Sequence, residues 1–167
     1  MGYLNQASIS MKSLPLSKEQ IIQKLESFCG YRERCMAEVK QKLYQLKADE
    51  RDYDFYLNYL TQNNFLNETR FTNAFVRGKN SIKKWGRKKI EMELKAKKID
   101  TDKIRDSMEQ IDDGVYAVRL EDLLRKKLKT INETDPYKRR QKLVVYALQK
   151  GYEPEIVNEV LKDVLTD

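Results

Sequence analysis

Apolar residues along this chain fall three and four apart rather than two, which is the spacing of one helix face. Val39, Leu43, Tyr53, Leu57 and Leu60 recur 51 residues later as Ile90, Leu94, Ile104, Met108 and Ile111. They recur 53 residues further on as Leu143, Ala147, Val157, Leu161 and Val164. Each set reads i, i+4, a gap, then i, i+4, i+7, the stripes of two consecutive amphipathic helices. A further stripe lies upstream of each: Ile21 and Leu25, Phe71 and Phe75, Leu120 and Leu124. The pattern predicts an all-α chain in which a three-helix unit is repeated three times. The expected boundaries are a flexible arm over 1–16 and units over 17–66, 67–114 and 115–167.

Local chemistry marks several helix ends. Ser17 with Gln20 three residues later forms a capping-box pattern, which satisfies free backbone N–H groups. Asp135-Pro136 supplies an N-cap followed by a proline at the first helical position, and Pro154 opens a later helix in the same way. Gly151 suits the left-handed residue that stops a helix. The segment TINETDP makes the first connection of the third unit about four residues longer than its counterpart in the second.

Composition narrows the function classes. Charged residues make up 35% of the 167 and hydrophobic ones 40%, which favours thin helical layers over a deep core. No apolar run approaches the ~20 residues needed to cross a bilayer. The first residues lack the apolar core and small-residue cleavage site of a secretory leader, so a cytoplasmic protein without membrane contact is expected. Cys29 and Cys35, placed on a turn between helices, are then expected to be reduced and partly buried thiols. The chain has no histidine, which excludes Ser/His and Cys/His catalysis and removes the commonest general base. No phosphate-loop or dinucleotide fingerprint is present. A protein that is not an enzyme, with no cofactor and no metal, is expected.

Charge is distributed in blocks. The net charge is +7, but residues 77–98 hold ten Lys/Arg against two acids. Residues 125–142 hold eight against two, and the intervening 99–123 carry eight acids and three bases. The two basic blocks fall at equivalent places in the second and third units, around the end of the first helix and the start of the second. They suggest a stripe for a polyanion or an acidic groove. The candidate binding residues are Arg77, Lys79, Lys83, Lys84, Arg87 and Lys88, with Arg139, Arg140 and Lys142 as their counterpart. Trp85 beside the first block either packs on its neighbours, the preferred reading, or stacks on an exposed base. Tyr53, Tyr56 and Tyr59 suit packing between units better than a contact surface.

The segment LNETRFTNAFVRGKNSIKKWGRKKIEMELKAKKI, residues 66–99, resembles the signature of RecX regulatory proteins. Arg70, Phe71, Phe75, Arg77, Lys79, Gly86, Ile90, Glu93, Leu94, Lys98 and Ile99 carry the resemblance. One departure is Lys98-Ile99, where the family pattern more often has Lys-Gly-Ile, and a less tightly capped helix end is expected there. The resemblance implies an elongated, curved array of tandem three-helix repeats. It also implies a regulator, mostly an inhibitor, that binds the groove of the RecA–single-stranded DNA filament. Such a protein modulates the filament's ATPase and strand exchange in bacterial homologous recombination, DNA repair and the SOS response. Direct binding to single- or double-stranded DNA is a further implied partner, and the molecule is expected to be a monomer. The alternative is a helical nucleic-acid-binding protein unrelated to RecA, in which Arg87 and Lys88 would enter a major groove. A third reading is an adaptor whose charges are merely solvated.

Overall fold

A computed structural model describes residues 15–166; the arm expected over 1–16 lies almost entirely outside them. Nine α-helices and no strand are present among the described residues. They run as α1 (Lys18–Tyr31), α2 (Met36–Gln45), α3 (Tyr53–Gln62), α4 (Glu68–Ser81) and α5 (Arg87–Ala96), then α6 (Thr101–Met108), α7 (Asp113–Leu128), α8 (Pro136–Gln149) and α9 (Pro154–Val164). A short 3₁₀ turn, Glu50–Asp52, precedes α3.

Close helix–helix packing runs within consecutive triplets: α1–α3, α4–α6 and α7–α9. Each triplet has its own apolar cluster, built from the repeated stripes. Twelve of the fifteen repeat positions are buried, while Tyr53, Met108 and Ile111 are partly buried and pack against the clusters. The first cluster centres on Leu25, Val39, Leu43 and Leu60, the second on Phe71, Ile90 and Leu94, and the third on Leu120, Leu124, Leu143 and Leu161. The hydrogen bonds and ion pairs seen between units join neighbours, so the molecule is a serial array of three-helix units, each too thin to hold a core of greater depth.

The caps explain where the helices start. The Ser17 hydroxyl accepts from the Gln20 N–H at 3.3 Å, while the Gln20 side chain accepts from the Ser17 N–H at 2.9 Å. Asp135 accepts from the N–H groups of Tyr137 and Lys138, with Pro136 opening α8. The extra length in the third unit is shared between helix and loop. α7 has 16 residues against 14 in α4, and 129–135 connects where 82–86 does in the second unit.

The second helix of every unit stops in the same way. Beyond α2, α5 and α8 the residues Lys47, Lys98 and Gly151 have φ of 56°, 60° and 91°. The next N–H reaches back to a carbonyl of the last turn: Ala48 to Leu43, Ile99 to Leu94 and Tyr152 to Ala147, at 3.1, 3.1 and 3.2 Å. This is the Schellman stop, which satisfies orphan carbonyls. Lys98 therefore completes the cap that its lysine was expected to loosen. What a lysine there costs is backbone strain, because its Cβ disfavours positive φ.

Two expectations about side chains are corrected. Cys29 lies within α1 in the first cluster, not on a turn, and Cys35 precedes α2 but inserts into the second unit's cluster. Both thiols are free and buried. Tyr53, Tyr56 and Tyr59 pack inside the first unit rather than between units; the Tyr59 hydroxyl donates to Glu26 at 2.8 Å.

Candidate interaction surface

Electrostatics separate α5 and α8 from the other helices. A helix N-terminus carries partial positive charge, so acids in the first turn stabilise it and cations destabilise it. Glu19, Glu38, Asp54, Glu68, Asp102, Asp113 and Glu155 occupy the first turns of α1, α2, α3, α4, α6, α7 and α9. α5 and α8 have no acid there. They begin instead with Arg87-Lys88-Lys89 and with Lys138-Arg139-Arg140 just behind Pro136-Tyr137. Both are second helices of their units, so the repeat places cations near the same helix start twice; Asp135 at the N-cap offsets part of this charge in α8, whereas α5 starts at Gly86 with no side-chain cap.

The nine candidate residues divide by environment. Arg77, Lys83 and Lys88 are exposed. Lys79 is half-buried with its ammonium 4.5 Å from the Trp85 ring centre and 5.0 Å from that of Phe75. Lys84 is half-buried at φ 54° in the α4–α5 connection. Arg140 is exposed and donates to Asn158 at 2.9 Å, and Lys142 pairs with Glu133 at 2.9 Å. Arg139 is half-buried, with its Nε lacking a hydrogen-bond partner among the described residues. Trp85 packs against the second cluster with Lys79 and Lys89 over its ring, so it is engaged in packing rather than presented to a base.

Arg87 does a different job from the one its charge suggests. Its guanidinium donates to the Ile111 carbonyl at 3.1 Å and to Asp113 at 2.6 Å, and lies 4.2 Å from the Tyr116 ring centre. Its backbone N–H donates to the Tyr116 hydroxyl at 2.9 Å, which in turn donates to Glu153 at 2.7 Å. Tyr116 is fully buried, and burial raises its hydroxyl pKa. Arg87 thus joins the second unit to the third.

Backbone contacts complete that seam. The Gly86 N–H donates to the Lys150 carbonyl at 2.8 Å, and the Lys88 N–H to the Gly151 carbonyl at 3.1 Å. A Cβ on Gly86 would overlap the Gly151 carbonyl and the Tyr152 nitrogen, and one on Gly151 would overlap Lys89. Gly86 has an ordinary φ of −76°, so its glycine is required by this close approach rather than by a tight turn. The seam between the first two units uses side chains instead. Arg70 donates to Glu33 at 2.9 Å, and Glu38 accepts from Arg32 at 3.1 Å and Lys97 at 3.5 Å. Burial opposes the Glu38 charge, but these cations and the Cys35 N–H outweigh it and hold its carboxyl below the usual range.

The seam fixes how the two cation clusters are related. The start of α5 abuts the end of α8, whereas Arg139, Arg140 and Lys142 lie near its beginning. Ten residues of helix at 1.5 Å each separate Arg140 from Lys150, or about 15 Å. The clusters are therefore spaced along α8 and do not merge into one patch. The seam residues Asn80, Tyr116, Arg119 and Glu153 carry no motif of their own; the glycines at two helix ends, Gly86 before α5 and Gly151 after α8, were the available signal.

Fold and surface define a class: a serial array of three-helix units that presents cations at two equivalent helix starts. Comparison with known proteins places the chain within that class. Residues 67–108 match the family model described as "RecX, second three-helix domain", and residues 116–161 match "RecX, third three-helix domain". The chain belongs to the RecX family. It is 32% identical over 130 residues to "Regulatory protein RecX" of Clostridium beijerinckii, covering 77% of this chain and 60% of that one. With the protein of the same name from Oceanobacillus iheyensis it is 27% identical over 139 residues, covering 83% and 51%. The chain thus spans little more than half the length of these relatives. The crystal structure of RecX from Lactobacillus salivarius superimposes with a TM-score of 0.76 at 20% identity, over 87% of this chain and 95% of that one.

Proposed function

We propose that this chain regulates a RecA recombinase by docking along the RecA–single-stranded DNA filament and restraining its ATPase and strand exchange. The observation that carries the reading is the cation loading of α5 and α8, the two helices with no acid in the first turn. Asp113 engages Arg87, and Asp135 and Glu133 offset part of the α8 charge, but Lys83, Lys88 and Arg140 remain exposed. Exposed cations at two helix starts are drawn to a polyanion or an acidic groove. The regulatory name of the relatives supports the same reading. A regulator of this kind needs no chemistry, only unequal affinity for the states it shifts. Insertion of α5 into a DNA major groove is disfavoured, because Arg87 is engaged in the unit seam.

The test compares binding to single-stranded DNA alone, RecA alone and the assembled filament, with inhibition of filament ATPase as the functional readout. Tightest binding to the filament is expected, weakening as salt rises through counterion release. Lys83→Glu, Lys88→Glu and Arg140→Glu combined should weaken filament inhibition at least tenfold while leaving helicity and melting near the parent's. Full inhibition by a folded triple variant would sink the assignment.

A further inference from the structure

A second polar feature lies apart from the helix starts, in the cleft where the second unit meets the third. One wall is a face of α4, where Asn73, Val76, Arg77 and Asn80 recur at helical spacing; the other is α7, with Val115 and Arg119. The floor is Ser107 in the last turn of α6 together with Gln110, Ile111 and Asp112 of the α6–α7 connection. The cleft has a volume of about 280 Å³, enough to hold a phosphate with its attached sugar.

Its lining is unusual for this protein. Thr72, Asn80 and Ser107 are the buried polar side chains among the described residues, and two of the three line this cleft. Buried polar groups are ordinarily paired, and each exception needs a reason. The Ser107 hydroxyl is buried with no hydrogen-bond partner. Asn80 is held rigidly: its amide donates to the Trp85 carbonyl at 3.0 Å, and its oxygen accepts from Arg119. Arg119 uses one guanidinium nitrogen in that bond, leaving other donors of its planar fork unengaged. Arg77 is exposed at the rim, and its guanidinium has no hydrogen bond or ion pair among the described residues. The one carboxylate in the lining, Asp112, already accepts from the Val115 N–H at 2.8 Å as an N-cap. Two guanidiniums therefore face one carboxylate. Gln110 donating to Asn73 at 3.3 Å links floor and wall, and Arg87 anchors the floor through Ile111.

We propose that this cleft binds the phosphate ester of a nucleotide, with Arg77 and Arg119 on its oxygens and Ser107 supplying a hydroxyl donor. Paired planar guanidiniums suit an oxyanion with several acceptor oxygens better than a single ammonium would. The site goes beyond filament docking and does not depend on it. A phosphate ester could come from a free nucleotide or from a nucleic-acid strand, and the probes below separate these sources.

The full chain is titrated with thymidine 5′-monophosphate, the 5′-phosphorylated thymidine dinucleotide, inorganic phosphate and unphosphorylated thymidine. Heat and backbone amide shifts are followed, with no RecA present. Phosphorylated probes should bind and shift Asn80, Ser107 and Arg119, whereas thymidine should not. Preference for the dinucleotide identifies a strand as the source; equal or tighter binding of the monophosphate identifies a free nucleotide. Arg77→Gln should weaken the preferred probe at least fivefold with unchanged melting, and Ser107→Ala should weaken it more modestly. Arg119→Gln should act more strongly, but it also severs the bond to Asn80, so Arg77→Gln decides. Thymidine binding as well as its phosphate, undiminished binding by Arg77→Gln, or shifts confined to the starts of α5 and α8 would each overturn the site. Because no filament is present, these outcomes leave the RecA reading untouched.

Discussion

Gly86→Ala should be among the most disruptive single-methyl changes in this protein, although Gly86 lies outside the three apolar clusters. The added Cβ would overlap the Gly151 carbonyl and the Tyr152 nitrogen, which are backbone atoms held by the Schellman stop of α8. Relief requires the second and third units to separate. That motion breaks the Gly86–Lys150 and Lys88–Gly151 backbone bonds and strains the Tyr116–Arg87 bond. At about 1 kcal/mol net per bond, the two lost bonds and the strained third come to about 2–3 kcal/mol. Removing a glycine from the unfolded chain returns about 0.4–1 kcal/mol, so a net destabilisation of about 1–2.5 kcal/mol is expected. Gly78→Ala is the matched control: it makes the same change inside α4, where an added Cβ meets nothing within 4 Å. It should stabilise by about 0.5–1 kcal/mol. Urea unfolding is followed by circular dichroism for the whole array and by fluorescence of Trp85, the sole tryptophan, which adjoins the seam. The Trp85 signal should move to lower urea more than the helical signal. A Gly86→Ala curve within about 0.5 kcal/mol of the parent, or one matching Gly78→Ala, would refute the backbone-contact argument.

Lys98→Gly should raise stability by about 1 kcal/mol, because it keeps the Ile99–Leu94 cap and removes positive-φ strain; a lower melting temperature would count against that account. Cys29 has its pKa raised by burial to about 11, and Cys35 is raised by the same cause. Both thiols should resist an aromatic disulfide reagent at pH 8 until urea is added, and rapid native labelling would contradict their burial. Tyr152 is raised by burial from an ordinary value of 10.0 to about 12. The unfolded chain therefore loses that proton first, so stability is fully present below about pH 10 and falls between about pH 10 and 12. Tyr152→Phe should flatten this fall in a pH series of thermal melts, and an unchanged slope would reject the assignment.

Much of the fold was legible because its core is periodic. Positions such as Leu43, Leu94 and Ala147 repeat at fixed offsets, and the clusters use them as the helix period requires. Caps at Ser17, Asp135, Gly151 and Pro154 were readable because their chemistry is local. The seams were not. Arg87 read as a surface charge because its partners, Ile111, Asp113 and Tyr116, lie more than twenty residues away. Lys98 read as a weakened cap because sequence shows the missing glycine but not a fold that holds lysine at positive φ. The tyrosines of α3 read as inter-unit packing because a stripe does not reveal which unit it faces. The cleft at Ser107 had no sequence signal, since its polar residues come from three helices and one connection.

The two seams bear differently on docking along a polymer. Side-chain ion pairs and the inserted Cys35 join the first two units, whereas the second and third are joined by backbone contacts through two glycines as well as by the side chains of Arg87 and Arg119. The second kind fixes the spacing of about 15 Å between the cation clusters at the starts of α5 and α8. Linked contacts raise avidity when their spacing matches the target, and a rigid link avoids the entropy of ordering it on binding. Gly86→Ala, which changes no charge, should therefore weaken filament binding severalfold at 25 °C, where the helices remain folded. The slope of affinity against salt should stay near the parent's, because the same cations meet the same anions. Charge reversal at Lys83 and Lys88 should instead flatten that slope. If Gly86→Ala loosens the seam but leaves filament affinity unchanged, the two clusters act independently and their fixed spacing has no part in docking.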